Sequence, residues 1–115
     1  MLPVRIIATA SRTSGPARST AELAAIAMPD RDPAELVRRT GIDSRHWVAD
    51  SDTVASLGAT VLRDALDAAG MVATDLRRVI LANSTGGDFL IPATANALLE
   101  ELGVRNSCDA FDVNN

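Results

Sequence analysis

The chain has 115 residues and a mass of 12.0 kDa, the size of one ordinary domain or of a piece of a larger one. Hydrophobic residues make up 47% and charged residues 23%, which excludes a disordered chain, and no apolar run is long enough to cross a bilayer. The net charge of -4 argues against a nucleic-acid surface, and the absence of lysine excludes Schiff-base chemistry from these residues.

The first third of the chain predicts one strand and two short helices. A run rich in β-branched residues at 3–10 predicts a strand, and turn-forming residues follow it. Ser19 and Glu22 have the spacing of a capping box, which predicts the start of the first helix. The second helix has Pro33 at its first helical position and Gly41 at its end.

The middle of the chain predicts an extended segment at 45–49 and then the strongest helix. The cluster of Asp and Ser at 50–52 supplies candidate N-caps, apolar residues recur at helical spacing, and Gly70 is placed to close the helix. Gly58 and several alanines leave this helix a narrow surface. We therefore expect it to pack closely against a sheet or another helix.

The last third predicts two buried strands joined through a loop and a helix. The continuous apolar run at 79–82 suits a strand covered on both faces, which belongs at the centre of a sheet. After a loop, Pro92 opens a helix that ends near Gly103, and residues 110–113 begin another buried strand. Strands alternating with helices indicate an α/β fold with helices layered over a largely parallel sheet.

These segments together resemble β-ketoacyl-ACP synthase III over essentially the whole chain. The two most specific motifs are Arg39-Thr40-Gly41-Ile42 followed by Arg45-His46, and Ala110-Phe111-Asp112-Val113-Asn114. The Ala-rich helix ending at Gly70, the apolar strand at 79–82 and Pro92 lie between them in the same order and at matching spacings.

The resemblance implies a thiolase-like layered fold, with a mixed sheet and helices on both faces. Residues 1–115 would be the N-terminal part of its first α/β half. The implied activity is that of an acyltransferase, which takes an acyl group from a CoA or ACP thioester onto a cysteine in fatty-acid or polyketide biosynthesis. The family's spacing places that cysteine about two positions beyond Asn115. Its catalytic histidine and asparagine belong to the C-terminal half, so we expect residues 1–115 to be an incomplete domain without a catalytic residue.

The resemblance also implies binding residues. Arg39 and Thr40 would lie at the mouth of the substrate tunnel and contact the coenzyme A nucleotide, whereas a surface Arg39 could instead pair with Glu35 one helical turn away. Glu35 stands where many members carry an aromatic residue that stacks on adenine, which favours an acyl group delivered by a carrier protein. Ile91, with Phe89 and Leu90 as neighbours, would place an apolar side chain against the partner's acyl pocket at a dimer interface.

The implied partners are acyl carrier protein, acyl-CoA or acyl-ACP as substrate, and a second copy of the chain in a homodimer, without nucleic acid or membrane. We expect a cytoplasmic protein with no metal and no resident cofactor. Cys108 is expected to be a small packing residue, and His46 to bond a backbone carbonyl, rather than to act in catalysis. The alternative function is a non-catalytic half or interaction module that pairs with a separate C-terminal chain.

Overall fold

The computed structural model describes residues 3–84, 86–88, 91–105 and 107–114, which fall into two compact units. Thr13–Ser51 form the first, here called the hairpin unit. The segments Met1–Arg12 and Asp52–Asn115 form the second, here called the sheet unit. Each unit combines helices with a two-stranded sheet, so the α/β character expected from the sequence is present in both.

The hairpin unit consists of a short antiparallel strand pair and two helices. Its elements are β1 Ala17–Ser19, α1 Thr20–Ala27, α2 Pro33–Thr40 and β2 Ser44–His46. The strands pair with Ala17 opposite His46 and Ser19 opposite Ser44. The extended segment expected at 45–49 is therefore a strand only at its beginning.

The first short helix begins with the capping box that the sequence predicts, and the second has the predicted Pro33 and Gly41 at its two ends. The Ser19 hydroxyl accepts a hydrogen bond from the Glu22 N–H at 3.1 Å, and the Glu22 carboxylate accepts one from the Ser19 N–H at 2.7 Å. The pKa of the Glu22 carboxyl is lowered, chiefly by the hydrogen bond from the Ser19 N–H and next by the one from the Ser19 hydroxyl. At the second helix the Asp32 carboxylate accepts from the Ala34 N–H at 3.0 Å. The predicted start at Pro33 and end at Gly41 are confirmed.

The sheet unit contains a pair of parallel strands joined through a helix. Its elements are α3 Val54–Ala69, a 3-10 turn Ala73–Asp75, β3 Arg78–Asn83, α4 Thr94–Glu101 and β4 Asp109–Asn114. In the parallel register Arg78 lies opposite Asp109, and Asn83 lies opposite Asn114. A parallel pair needs a crossover connection, and α4 provides it.

The core of the sheet unit lies where α3 packs on α4 and where α4 packs on the two strands. Its buried side chains are Ala55, Ala59, Val79, Leu98, Leu99 and Val104. The helices approach closely at Gly58, where a Cβ atom would lie 2.6 Å from Leu98 Cδ1. Arg63 of α3 also donates a hydrogen bond of 2.5 Å to the Glu101 carbonyl at the end of α4. The close packing expected for this helix is confirmed.

The strand predicted at 3–10 is absent from the structure. Val4 and Ile6 are 94% and 85% exposed, and these residues have no strand geometry. A β-branched run becomes a strand only when a neighbouring strand accepts its backbone hydrogen bonds. None of the strands in the described part of the chain pairs with it.

The strand at 79–82 forms, but its predicted burial on both faces is wrong for the described residues. Val79 is buried, whereas Ile80 on the opposite face is 57% exposed. Within the described ranges β3 pairs with β4 alone. The physical reason is that α4 packs on the face that carries Val79, whereas Ile80 on the other face stays exposed among the described residues.

The N-cap of α3 is Thr53, not one of the residues at 50–52. The Thr53 hydroxyl accepts from the Ser56 N–H at 3.0 Å, and the Ser56 hydroxyl accepts from the Thr53 N–H at 2.9 Å. Thr53 and Ser56 thus form a capping box, in which Ser56 takes the place of the usual Glu or Gln at the third helical position. The helix ends at Gly70 as predicted.

Candidate functional site

The carboxyl ends of the two parallel strands lie side by side, because Asn83 pairs with Asn114. Ligands of open α/β sheets bind beyond this end of the strands, which makes it the first place to look for a site. The Asn83 side chain accepts a hydrogen bond from the Gly86 N–H at 2.9 Å and turns the chain away from β3. We call this region the carboxyl edge, and it comprises Asn83, 86–88, Thr94, Ala95 and 112–114.

Asp88 connects the carboxyl edge to the start of α3. Its two carboxylate oxygens accept hydrogen bonds from the Val54 N–H and the Ala55 N–H, both at 2.7 Å. With the Thr53 cap, they satisfy the N–H groups of the first turn, which have no partner within a helix. A carboxylate at this position is also stabilised by the helix dipole. Asp88 therefore holds the segment that follows β3 against α3.

Asp112 performs the same task for α4 from the neighbouring strand. Its carboxylate accepts hydrogen bonds from the Thr94 N–H and the Ala95 N–H, both at 2.8 Å. The residue that precedes the helix, Ala93, makes no side-chain cap, and Pro92 lies before the first turn. The predicted opening of this helix by Pro92 is therefore corrected, since its cap comes from β4.

Thr94 links the backbone of Asp88 to the carboxylate of Asp112. It is 0% exposed, and its hydroxyl accepts a hydrogen bond from the Asp88 N–H at 3.0 Å while its own N–H binds Asp112. Gly87 passes so close that a Cβ atom there would lie 2.1 Å from Thr94 Oγ1. The carboxyl edge is thus a connected network of charged and polar groups, which holds two helices and one strand end together.

The sequence alone does not reveal these roles of Asp88 and Asp112. Asp112 belongs to the motif at 110–114, and Asp88 lies in the loop between the strand at 79–82 and the next helix. The available signal for these roles is an acidic residue near the end of a strand or in the loop that follows it. It does not reveal which helix the carboxylate binds, because the partners are up to 34 residues away.

Arg39 and Thr40 lie at the C-terminal end of α2 in the hairpin unit. Both are exposed, and the Thr40 hydroxyl donates a hydrogen bond of 2.8 Å to the Leu36 carbonyl and accepts one of 3.2 Å from the Ile42 N–H. Thr40 is therefore held in place by its own helix, whereas the Arg39 guanidinium faces solvent. Glu35 is half-buried in the first turn of the same helix.

A cavity of about 540 Å³ lies within the hairpin unit, with Thr40 on its wall. Its lining is mostly apolar and includes Leu23, Ile26 and Trp47. The Arg45 guanidinium also lines it and donates a hydrogen bond of 3.2 Å to the Thr20 hydroxyl. The combination of an apolar wall with a few polar groups is typical of small-molecule pockets.

Ile91 belongs to the sheet unit and is 86% exposed. Phe89 and Leu90, its neighbours in the predicted dimer and acyl-pocket segment, lie outside the described residues. Of the predicted site residues, Arg39 and Thr40 lie on one helix, α2. Ile91 is an apolar side chain that faces solvent. An exposed large apolar residue of this kind can mark an interface.

Cys108 and His46 have the environments expected for structural residues. Cys108 is half-buried against the core, and its thiol donates to the Asp109 carbonyl at 3.5 Å. His46 Nδ1 lies 3.0 Å from the Gly15 carbonyl, which can only accept, so Nδ1 carries the proton of this bond.

Arg12 attaches the first segment of the sheet unit to α3. Its Nε and Nη2 donate to the two carboxylate oxygens of Asp64 at 2.6 and 3.1 Å. The hydrogen bond from Arg12 lowers the pKa of Asp64 against a smaller opposing effect of burial, and the charge of Arg12 lowers it further. The pKa of Arg12 is raised by the same hydrogen bond.

The described residues hold no group of three or more His, Cys, Asp or Glu side chains placed to bind a metal ion. Among the helices of the same residues, none combines the length and the apolar character that crossing a membrane requires.

Comparison with known proteins gives a consistent family. Over 78 residues the chain is 40% identical to β-ketoacyl-[acyl-carrier-protein] synthase III of Neisseria meningitidis serogroup A / serotype 4A (strain DSM 15465 / Z2491). Over a match of the same length it is 44% identical to the synthase of that name from Chelativorans sp. (strain BNC1). The chain is a homologue of the N-terminal part of β-ketoacyl-ACP synthase III.

The match with each of these synthases covers 68% of this chain, and the chain spans 24% of their length. No protein-family profile matches the chain. Among solved structures, the priming β-ketosynthase from the R1128 polyketide biosynthetic pathway is similar with a TM-score of 0.84. It is 23% identical, and the alignment covers 96% of this chain and 32% of that one. The expected thiolase-like layered α/β fold is confirmed.

Proposed function

We propose that the full-length protein is an acyltransferase of the β-ketoacyl-ACP synthase III type. The observation that carries the proposal is the identity of 40% and 44%, over 78 residues, with two curated synthases of that type. The likeness in fold to a priming β-ketosynthase supports it and extends the proposal to fatty-acid or polyketide biosynthesis.

The proposed reaction begins at a cysteine beyond residue 115. Its thiolate attacks the carbonyl carbon of an acyl thioester, a new carbon–sulfur bond to the enzyme forms, and the thiolate of CoA or of the carrier protein leaves with the electron pair. The start of a helix suits this cysteine because the helix dipole and unpaired N–H groups lower the pKa of a thiol.

A second half-reaction releases the acyl group. Loss of carbon dioxide from a malonyl thioester produces an enolate, which attacks the acyl carbon and sets the enzyme thiolate free. A histidine and an asparagine from the C-terminal half would donate hydrogen bonds to the enolate oxygen. If the acyl group passes to another nucleophile instead, the first half-reaction, acylation of the cysteine, is the same.

Arg39 and Thr40 are proposed to bind the acyl donor. The Arg39 guanidinium is exposed at the end of α2, and its planar donors suit a phosphate of coenzyme A or of a carrier-protein prosthetic group. Thr40, the next residue in the sequence, lines the apolar cavity of the hairpin unit. Glu35, on the same helix, replaces the stacking aromatic residue of many members and favours acyl carrier protein as the donor.

Ile91, with Phe89 and Leu90, is proposed to lie at a homodimer interface and to contact the partner's acyl pocket. The 86% exposure of Ile91 supports this role, because an apolar side chain in water gains from burial. The thioester substrate is already activated, so we propose no resident cofactor or metal. We place the activity in the cytoplasm.

Acylation of the full-length protein tests this function. We expect incubation with acetyl-CoA, or with an acyl-ACP, to add the mass of one acyl group, and peptide mapping to place it on a cysteine beyond Asn115. The variant Cys108→Ser should be acylated like the wild type. Absence of an adduct with every donor would refute the enzyme and favour the non-catalytic half, and an adduct on Cys108 would refute the site.

A further inference from the structure

The end of β4 is the described part of the chain that lies nearest in sequence to the expected nucleophile. Asp112 lies two residues before the last residue of this strand, Asn114. Any group that fixes the end of β4 therefore fixes the position of Asn114, the last residue that the structure describes before the expected nucleophile. A role for this strand end in catalysis rests on the proposed function, which places the nucleophile a few residues further on.

The Asp112 carboxylate restrains the end of β4 in two directions. It accepts one hydrogen bond on each oxygen, from Thr94 and from Ala95, both at 2.8 Å. Two bonds from successive N–H groups define the orientation of the carboxylate plane as well as its distance from α4. Sliding of β4 along α4 would break both bonds and leave N–H groups without partners.

The helix to which Asp112 binds is itself held at its first residue. Thr94 is fully buried, and its hydroxyl accepts from the Asp88 N–H at 3.0 Å. Asp88 in turn binds the first turn of α3 through Val54 and Ala55. The strand end, α4 and α3 are thus connected by hydrogen bonds that all involve the carboxyl edge.

We propose that Asp112 is a positioning residue for acyl transfer: it holds the end of β4 on α4 and so fixes the nucleophile that follows the strand. A cap that served only the helix would contribute to stability without affecting the chemical step. A positioning residue also affects the rate at which a bound substrate reacts, because displacement of a reacting group by about 1 Å costs roughly 100-fold.

The experiment compares Asp112→Asn with Asp109→Asn in the full-length protein. Both remove one charge from β4, but the Asp109 side chain is 68% exposed and binds only Arg78 among the bonds described, at 2.8 Å. We expect Asp112→Asn to lower the kcat of enzyme acylation by about 10- to 100-fold with little change in KM. Asp109→Asn should behave as the wild type.

A second readout separates positioning from stability. The rate of alkylation of the nucleophilic cysteine by iodoacetamide, measured against pH, should change in Asp112→Asn because the thiol leaves its stabilising environment. A variant with a lower melting temperature but the acylation rate and alkylation profile of Asp109→Asn would overturn the proposal and leave Asp112 a helix cap.

Thr94→Val provides an independent variant if Asp112→Asn does not fold. Valine keeps the shape of the side chain but removes the acceptor of the Asp88 N–H. It should lower kcat in the same sense, and an unchanged kcat in the folded Thr94→Val variant would overturn the proposal. If the wild type and Asp109→Asn also take no acyl group, the proposed function has failed, and the role of Asp112 falls with it.

Discussion

Substitution of Gly87 by alanine tests the tight packing at the carboxyl edge. Gly87 has a φ of +79°, and its Cβ atom would lie 2.1 Å from Thr94 Oγ1 and 3.2 Å from Thr94 Cβ. Thr94 cannot move aside easily, because it is fully buried, branched at Cβ and bonded to Asp88 and Asp112. The variant must therefore displace the backbone or break the network.

The neighbouring Gly86 is a matched control. It has a similar φ of +87°, but a Cβ atom there would meet nothing within 4 Å. Alanine in the left-handed region costs about 1–2 kcal/mol at either position. Overpacking adds about 1–3 kcal/mol only at Gly87. We expect Gly87→Ala to lower the free energy of unfolding by about 2–5 kcal/mol and Gly86→Ala by about 1–2 kcal/mol.

Urea denaturation of the full-length protein, followed by circular dichroism, measures this difference. The two variants share the backbone cost, so their difference isolates the contact with Thr94. Equal free energies of unfolding for Gly86→Ala and Gly87→Ala would refute the close approach of Gly87 to α4. The same result would weaken the case for a rigid carboxyl edge.

Three further variants test other parts of the molecule. Leu98→Ala should destabilise the protein by about 2–5 kcal/mol in urea denaturation, since Leu98 is buried between α3 and α4; a loss below 1 kcal/mol would contradict this core. Asp64→Asn should destabilise the protein at neutral pH, but progressively less below about pH 4. The reason is that the lowered pKa of Asp64 adds stability, which is lost as the pH falls through that pKa. If the difference in melting temperature between variant and wild type stays constant from pH 7 to pH 3, the linkage to Arg12 is excluded. Arg39→Ala should reduce kcat/KM for the acyl donor by about 10- to 100-fold without changing the melting temperature. The control Arg38→Ala should leave kcat/KM unchanged. Equal kinetics of the two variants would remove Arg39 from the proposed donor site.

The sequence predicted most elements because their signals are local. The apolar spacing of α3 and the alternation of helices with strands were sufficient to predict an α/β fold. The same reasoning failed at 3–10 and overestimated the burial of Ile80. Both depend on which strands pair and which faces are covered, and a single segment carries no information about its neighbours.

The candidate site was predicted less completely. Arg39 and Thr40 were identified through a resemblance, and the structure shows them exposed at a helix end and on a cavity wall, respectively. Ile91 is exposed, and Phe89 and Leu90 lie outside the described residues. The roles of the two carboxylates at the carboxyl edge could not be predicted in the same way, because a capping carboxylate from a distant segment has no fixed spacing.

The sequence by itself determined the start of α1 and the end of α2, whose caps lie within one turn. The Ser19 hydroxyl reaches the N–H of Glu22, three residues away, and Gly41 ends α2 through its own backbone. Only the tertiary structure decided the caps supplied by Asp88 and Asp112, whose partners are 33–34 and 17–18 residues away. These caps exist because the parallel pairing of β3 and β4 and the packing of α3 on α4 bring distant carboxylates to first-turn N–H groups that the residues next to each helix start do not bind.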